Sequence, residues 1–477
     1  MPTVEAGRDI EDRVESLLWP FVEHVAGSWA VPGLSVCVVH DGDRVTARGF
    51  GTRDSTTGAP VTTDTVFHLA SVSKTVVATG VLGLVEAGAL DLDGRVAGYL
   101  PDLPWADPRA HAVTVRHLLC HCSGIGDVDD YGWQDPQLDD DALGRFAAAV
   151  ATWPLAADPG ERFAYSNSAY ELLGHLLATI AAQPFEAAVK ERVLEPAGLL
   201  TSTFRPGEVP AGLRARPHLG LPPRVVPGAY PYTRPHAPSS SLHSSAADMG
   251  RWMVRHLAGG DGLLARPTHE LMWRAVSPTG WDERHAETAL GWFRGTYRGE
   301  SLVGHSGSDP GFEADLVLVP DRGIGVSVLV AGNTAPMLSL ARAALDVLLG
   351  HHTAPAPAPP ASVALAPVLE GAGASAAVHL YRRLAKEDPA TVDLGGDGGF
   401  ADAVWGLVEL HRTDLAAPLL ELWHRVQPTS SPAAFMSGWA AAVDGRTDDA
   451  VRHLRRAVAL DPDNDDALAM LSRIRGG

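Results

Sequence analysis

Patterns typical of β-strands occur only at the two ends of roughly the first three-quarters of the chain. Early on, β-rich runs at residues 34–40 and 45–51 flank Asp41-Gly42-Asp43-Arg44, a composition that favours a hairpin turn. Strand-like runs return only late, at residues 289–293, 312–319 and 324–331. If one sheet takes up both sets, the fold is α+β, with an antiparallel sheet interrupted by an all-helical insertion.

Helical periodicity accounts for much of the rest of this region. Apolar residues recur at helical spacing over residues 9–25, 71–88 and 336–349, which predicts helices that flank the sheet. The insertion carries further helical patterns at residues 114–120, 139–151, 166–182 and 245–256.

An Ala/Pro-rich segment, HHTAPAPAPPASVALAP at residues 351–367, divides the chain. Alternating Ala and Pro favour an extended, semi-rigid spacer. We therefore predict a first domain over residues 1–350, a linker over residues 351–368 and a helical domain over residues 369–477.

The predicted C-terminal domain is similar to itself at an offset of 34 residues. Matching positions are Ala416 and Ala450, Leu420 and Leu454, and Pro428 and Pro462. The unit at residues 431–464 resembles a tetratricopeptide repeat, and an unrelated helical appendage is the alternative. Such helix pairs bury their apolar faces by stacking, so we expect this domain to pack on the first domain or on itself and to offer a surface for a protein partner.

Acidic residues outnumber basic ones, 57 to 38, which gives a formal net charge of −19. This balance provides no general attraction to phosphate backbones or anionic lipids, so we expect neither a nucleic-acid nor a membrane partner. Three cysteines cannot make a disulfide framework, residues 1–27 are rich in acid, and no apolar run approaches the ~18 residues that span a bilayer. These features predict a cytoplasmic protein.

Only three of the 38 basic residues are lysines, and Lys74 follows Ser71 by about one turn at the start of a predicted helix. A serine hydroxyl is a weak nucleophile until a neighbour takes its proton, and lysine can do this only if its pKa falls from about 10.4. The helix N-terminus supplies positive potential that lowers this pKa and stabilises an oxyanion at the Ser71 amide. Ser71 and Lys74 are therefore a candidate nucleophile and base, although this spacing also arises by chance.

Two further groups complete the candidate site. Tyr165 and Asn167 precede a predicted helix; a tyrosine beside an ammonium can approach phenolate character, and asparagine offers both a donor and an acceptor. Taken alone, they could also be a half-buried core aromatic and a helix cap. The third group lies on a predicted strand edge, where Gly307 would let a substrate approach and the Ser308 amide could donate to an oxyanion.

The order of these motifs is more specific than any one of them: S-x-x-K opening a helix after a hairpin, then Y-x-N, then H-x-G on a late strand. It resembles the serine β-lactamase and penicillin-binding protein superfamily, in the branch of class C β-lactamases, DD-peptidases and family VIII esterases. Supporting stretches are residues 67–74, 114–124, 159–167, 244–253 and 305–312. The resemblance spans roughly residues 10–349 and does not cover the C-terminal domain.

The resemblance implies a catalytic cycle for these residues. Ser71 would attack a carbonyl group, Lys74 and Tyr165 would share the proton transfers, and the Ser71 and Ser308 amides would hold the oxyanion. Asn167 would orient Lys74 and bind a substrate amide. The cycle needs neither a metal nor a cofactor.

Two departures from the family pattern bear on the substrate. His305 stands where dedicated class C β-lactamases carry lysine, and a mostly neutral imidazole is a weaker anchor for a substrate carboxylate. This argues against a dedicated β-lactamase and fits the peptidases and hydrolases of the family. Residues 237–242 contain serines where relatives commonly have a glycine-rich stretch.

The leading hypothesis is therefore a serine hydrolase that cleaves a small ester, a D-amino-acid amide or a short peptide through an acyl-Ser71 intermediate. One alternative passes the acyl group to an amine or alcohol, as an acyltransferase or a peptide-cyclising enzyme of a biosynthetic pathway does. Another is a non-catalytic protein whose C-terminal repeats bind a partner.

Other groups of residues could suggest metal sites or a substrate pocket, but their patterns are less specific. The segment with His117, Cys120, His121 and Cys122 matches no zinc spacing and is expected to be structural packing. Acidic residues between positions 127 and 141 match no calcium loop and are expected to form a solvated, helix-starting stretch. Three aromatic residues could be walls of an acyl pocket or ordinary core residues: Tyr131, Trp133 and Trp292.

Overall fold

A computed structural model describes residues 9–128, 130–387, 391–395 and 398–476. In chain order the strands are β1 (Gly33–His40), β2 (Arg44–Asp54), β3 (Ala59–Pro60), β4 (Val66–His68), β5 (His218–Leu219), β6 (Arg224–Val225), β7 (His243–Ser245), β8 (Ser277–Pro278), β9 (Glu287–Thr288), β10 (Phe293–Tyr297), β11 (Glu300–Asp309), β12 (Phe312–Val319) and β13 (Ile324–Val330).

The α-helices of the first domain are α1 (Trp19–Ser28), α2 (Ser73–Glu86), α3 (Val96–Tyr99), α4 (Val115–Leu119), α5 (Ala142–Val150), α6 (Asn167–Ala181), α7 (Phe185–Val189), α8 (Glu195–Ala197), α9 (Ala237–Ser240), α10 (Ala246–Leu257), α11 (Arg266–Met272) and α12 (Met337–Leu348). Those of the C-terminal region are α13 (Ala361–Glu387), α14 (Gly398–Glu409), α15 (Thr413–Val426), α16 (Ser431–Val443), α17 (Thr447–Leu460) and α18 (Asp465–Gly476).

Early and late strands share one large sheet. Within the described residues its order is β3-β2-β1-β13-β12-β11-β10-β9-β8. Strand β1 pairs antiparallel with β13, with Leu34 opposite Val330, although the two residues lie near opposite ends of the domain. The predicted fold, an antiparallel sheet flanked by helices and interrupted by a helical insertion, is confirmed.

Helices cover both faces of this sheet. Alternate residues such as Val303 and Leu316 pack in one core with α2 and α10. Their neighbours in sequence, such as Leu302 and Val317, pack in a second core with α1 and α12. Because side chains alternate along a strand, a central strand buried on both faces is apolar at nearly every position.

One predicted strand is misplaced. The run at residues 289–293 is a tight turn for most of its length, in which Ala289 N donates to Trp292 O at 2.8 Å and Gly291 has φ 78°. The strand begins only at Phe293. The apolar residues that suggested a strand are buried because the turn itself packs into the core.

The C-terminal helices follow one another with a regular spacing. Helices α15 and α17 each have 14 residues, and their first residues, Thr413 and Thr447, lie 34 positions apart. Helix α16 packs closely on α17 at Gly438, where an added Cβ would lie 2.7 Å from Leu454 Cγ.

The extended segment between the domains is shorter than predicted. Helix α13 begins at Ala361, inside the predicted linker, and tolerates Pro367 within it. Its start is held by the later chain, since Ala361 N donates to Asp393 O at 2.8 Å.

Helix α13 is also the one described helix that is long and apolar enough, by length and composition alone, to cross a membrane. Gly373, with φ 80° and ψ 172°, breaks it into two pieces. Neither piece reaches the ~20 residues that span a bilayer, so this helix is weak evidence for a membrane segment.

The two domains pack on each other through an apolar core. It joins Trp133, Leu219 and Leu221 of the first domain to residues of α14, including Val404 and Leu407. An ion pair at the edge of this core brings Arg224 Nη1 within 2.8 Å of Glu370 Oε1.

Candidate active site

Ser71 lies in the turn that leads from β4 into α2 and lines a cleft of 530 Å³. The preceding residue, Ala70, has φ 45°, a left-handed conformation that is strained for a residue with a Cβ. Two backbone contacts hold the turn: Leu69 N donates to Leu242 O at 2.8 Å, and Ala70 forms a bridge with Ser241. The surrounding fold thus fixes the backbone around the candidate nucleophile.

Lys74 is fully buried beside Ser71. Its Nζ donates to Ser71 Oγ at 3.0 Å, to Asn167 Oδ1 at 2.6 Å and to the Ser239 carbonyl at 2.8 Å. Burial lowers the pKa of Lys74 to about 8, while nearby carboxylates, chiefly that of Glu171, oppose this change. An amine with this pKa can take a proton from the serine near neutral pH.

Asn167 is the first residue of α6, but it does not cap the helix. The N-cap is Ser166, whose Oγ accepts a hydrogen bond from Ala169 N at 3.0 Å. The helix-cap interpretation of Asn167 is therefore wrong, and its side chain is free to serve the site.

Neighbouring groups determine which end of the Asn167 amide faces Lys74. Its Nδ2 donates to Asp127 Oδ2 at 2.8 Å and to the Tyr131 hydroxyl at 2.5 Å. Both partners accept from the NH₂ group, so Oδ1 points at the ammonium of Lys74.

Asp127 is a site residue that sequence reasoning missed. Besides holding the Asn167 side chain, its carboxylate accepts from Asn167 N at 3.0 Å and from Ser168 N at 3.2 Å. It therefore satisfies free N–H groups at the start of α6. Asp127 is exposed, as expected of a solvated acidic stretch, and no local pattern links it to a helix that starts 40 residues later.

Tyr165 stands between Ser71 and His121. Its ring stacks on His121 with centroids 4.3 Å apart, and Lys74 Nζ lies 5.0 Å from its centroid. Burial raises the pKa of Tyr165 well above its ordinary value, and its hydrogen bond with Ser71 opposes this. The raised pKa favours the neutral hydroxyl over the phenolate.

Strand β11 runs directly past Ser71. A Cβ added at Gly307 would lie 2.6 Å from Ser71 N and 2.5 Å from Leu69 O, distances that only glycine allows. The next residue, Ser308, is anchored by Asn333, whose Nδ2 donates to Ser308 Oγ at 3.3 Å. The backbone amides of Ser71 and Ser308 thus belong to adjoining segments held in close contact.

His305 lies two residues before Gly307 and is 3% exposed. Its Nδ1 is 2.6 Å from the Ser306 carbonyl, so Nδ1 carries the proton and donates it. Burial lowers the pKa of His305 to about 3, and the positive charge of Lys74 adds to this effect. The ring is therefore neutral, and its buried Nε2 is an acceptor with no partner in the described part of the chain.

Aromatic rings form one wall of the cleft. Trp281 and Phe293 line it together with Tyr165, with ring centroids 5.7 and 6.3 Å from that of Tyr165. Neither residue was singled out from the sequence. Trp292, which was, is 1% exposed and lies in the core, so the core interpretation of Trp292 is the correct one.

A family model described as Beta-lactamase matches residues 21–350. This chain belongs to the beta-lactamase family. The Penicillin-binding protein 4 of Amycolatopsis lactamdurans is 33% identical over 347 residues, which cover 69% of this chain and 89% of that protein. Esterase EstB of Burkholderia gladioli is 29% identical over 344 residues, covering 64% and 86% respectively.

Solved structures show the same relationship. The octameric penicillin-binding protein homologue from Pyrococcus abyssi superposes with a TM-score of 0.64 and 28% identity, covering 74% of this chain and 80% of its own. The beta-lactamase family relationship accounts for the first domain. The matched residues of the family model end before the C-terminal helices begin.

Of the four residues that suggested a metal site, His121 contacts this beta-lactamase-family site, where its ring stacks on that of Tyr165. Within the described ranges, no group of three or more His, Cys, Asp or Glu side chains is arranged to hold a metal ion. Cys120 and Cys122 are buried free thiols.

Proposed function

We propose that this protein is a serine hydrolase that cleaves an ester or amide through an acyl-Ser71 intermediate. The observation that carries the proposal is the 3.0 Å contact between Ser71 Oγ and the buried amine of Lys74. Burial brings the pKa of that amine to about 8, so a useful fraction is neutral near physiological pH. A nucleophile with an adjacent, correctly tuned base is what acyl transfer requires.

In the first step, Ser71 Oγ attacks the substrate carbonyl while its proton moves to Lys74 Nζ. The carbonyl oxygen becomes an oxyanion, which the amides of Ser71 and Ser308 stabilise by donating hydrogen bonds. Asn167 Oδ1 accepts a hydrogen bond from the ammonium that forms.

In the second step, the intermediate collapses and the bond to the leaving group breaks. Tyr165, which is neutral in the resting site, donates its proton to the leaving oxygen or nitrogen and regains one from the Lys74 ammonium. Water then attacks the acyl-Ser71 carbonyl, loses a proton to the same groups, and releases the acid and free Ser71.

We further propose that the substrate presents no carboxylate to His305. The neutral His305 provides no cation for a carboxylate. The aromatic wall of Trp281 and Phe293 favours apolar or aromatic groups. A small ester, a D-amino-acid amide and a short peptide all meet this description, and the similarity to Esterase EstB supports the ester.

A fluorophosphonate probe tests the nucleophile, since it forms a Ser Oγ–P bond with loss of fluoride. Intact-mass spectrometry should detect one adduct on the wild type and none on Ser71→Ala. Lys74→Ala should react far more slowly, whereas Lys190→Ala, which changes an exposed lysine, should react as the wild type does. Equal labelling of the wild type and Ser71→Ala would refute the assignment of Ser71.

Acyl transfer to an amine or alcohol shares the first half of this reaction. Incubation with an activated ester and increasing amounts of an amine separates the two outcomes. Hydrolysis predicts that the acid stays the product at every amine concentration. Accumulation of the amide in proportion to the amine would instead favour the transferase.

We also propose that the C-terminal helices form tetratricopeptide-like pairs that bind a protein segment. The 34-residue offset between α15 and α17 supports the repeat. Stacked pairs should unfold as units, so hydrogen exchange should protect α16 and α17 together. Independent exchange of these two helices would contradict the proposal.

A further inference from the structure

Loop 130–133 of the catalytic domain lies between the catalytic site and the C-terminal helices. On one side, the Tyr131 hydroxyl accepts a hydrogen bond from Asn167 Nδ2 at 2.5 Å. Burial and nearby carboxylates raise the pKa of Tyr131 well above its ordinary value, so this hydroxyl stays neutral. It helps to keep Asn167 Oδ1 directed at Lys74.

On its other side, the same loop is held by the helical domain. Trp133 stacks on Tyr131, with ring centroids 4.9 Å apart and planes at 13°. Trp133 is 6% exposed and packs in the core that also contains Val404 and Leu407 of α14. Asp130 adds a polar contact, since its Oδ2 lies 3.4 Å from Nε2 of His411, just beyond that helix.

Helix α14 also contacts the segment that holds the oxyanion strand. A Cβ added at Gly406 would lie 3.5 Å from Pro310 Cα and 3.5 Å from Asn333 Oδ1. The Asn333 side chain in turn donates to Ser308 Oγ and to the Asp309 carbonyl, at 3.3 and 3.0 Å. One helix of the C-terminal domain therefore supports the site from both the lysine side and the strand side.

We propose that Tyr131 is a positioning residue for the Asn167–Lys74 contact, and that the helical domain keeps it in place through Trp133 and His411. The inference rests on the proposed function, in which Lys74 takes the proton of Ser71. It makes the C-terminal domain a structural part of the catalytic site, in addition to any partner it binds.

Loss of the hydroxyl should change the protonation of Lys74 in a defined direction. Without Tyr131, only Asp127 holds the NH₂ end of the amide, so Asn167 can turn part of the time and present Nδ2 to Lys74. A donor facing the ammonium disfavours the charged form, which lowers the pKa of Lys74. The acylation rate should therefore reach half its plateau at a lower pH, while the plateau itself falls.

The experiment measures fluorophosphonate labelling of the full chain from pH 6 to 10 by intact mass. Tyr131→Phe keeps the ring and its stacking on Trp133, so the fold should survive, as a thermal unfolding midpoint will check. We expect a plateau lower by about fivefold and a midpoint shifted to lower pH. An unchanged midpoint would overturn the positioning role, because purely structural damage lowers the plateau without shifting the midpoint.

A second pair of variants tests the role of the helical domain. His411→Ala removes the contact with Asp130, and we expect the same shift of the midpoint with a loss of about twofold in rate. His424→Ala is the matched control, since His424 lies on α15 and contacts Ser437 and His453 of the same domain. Identical profiles for the two variants would overturn the link between the domains.

The wild type and Lys74→Ala separate this inference from the proposed function. If Lys74→Ala labels as fast as the wild type, Lys74 is not the base and the proposed function fails. If Lys74→Ala is slow but Tyr131→Phe has the wild-type profile, the proposed function stands and only the positioning role is lost.

Discussion

The two domains bury different kinds of side chain. The first domain buries Lys74, Glu171 and Asp309 at its centre, whereas the C-terminal helices bury residues such as Ala433 and Leu454. Burying a charge is costly unless it is paired and hydrogen-bonded, whereas packing small apolar residues needs no such compensation. The difference indicates that the first domain gives up some stability to bury groups used in chemistry, whereas the interior of the C-terminal helices serves folding.

Removal of the buried Lys74 amine should have the largest effect on the acylation rate. Lys74→Ala takes away the base and leaves Ser71 without an acceptor for its proton, so acylation should fall by about a thousandfold. Labelling rates with a fluorophosphonate measure the effect. Lys190→Ala serves as the control for loss of a lysine, and a similar loss of acylation in that variant would contradict the assignment of Lys74.

The close approach at Gly307 should give the next largest effect. Both atoms nearest to an added Cβ are backbone atoms, Leu69 O and Ser71 N, so the strand must move away from Ser71. Separation of the two oxyanion donors should slow acylation by about a hundredfold in Gly307→Ala. The rate is measured on folded protein, verified by circular dichroism, and wild-type acylation would show that the strand can shift at no cost to catalysis.

The pH dependence of the acylation rate tests the role of the buried Lys74. In the proposed mechanism Lys74 acts as a base only in its neutral form, which predominates above a pKa of about 8. Acylation by the wild type should therefore rise about tenfold from pH 7 to pH 9. A flat rate profile over this range would mean that another group takes the proton.

The smallest effect should come from a tight glycine in the helical domain. At Gly438 the two atoms nearest to an added Cβ are side-chain carbons of Leu454, whereas at Gly307 they are backbone atoms. Gly438→Ala should lower the free energy of unfolding by about 1 kcal/mol, with acylation close to that of the wild type. Denaturant unfolding and the labelling rate measure the two quantities. A large loss of acylation in Gly438→Ala would contradict the contrast between the first domain, which holds the site, and the C-terminal helices.

Much of the fold followed from local patterns. Strands with alternating or continuous apolar residues and helices with a regular apolar face were predictable, because burial leaves a periodic trace in the sequence. The run at residues 289–293 was misassigned because a buried turn and a buried strand have the same composition. The start of α13 was missed because Ala361 and its neighbours have the composition of a spacer, and only the contact with Asp393 shows that they are packed.

Some contacts of the candidate site were also predictable from the sequence, and others were not. Ser71 and Lys74 could be paired from sequence because one helical turn separates them. Asp127, Tyr131 and the Ser239 carbonyl could not, because each reaches Asn167 or Lys74 only through the folding of distant segments.

By itself, the sequence determined the class of the fold, the family and the types of group available for chemistry, since these depend on periodicity and on motifs in a fixed order. Only the tertiary structure decided the protonation states of Lys74, Tyr165 and His305, because burial and neighbouring charges set them. It also decided which end of the Asn167 amide faces Lys74. That orientation depends on hydrogen-bond partners brought together from separate parts of the chain.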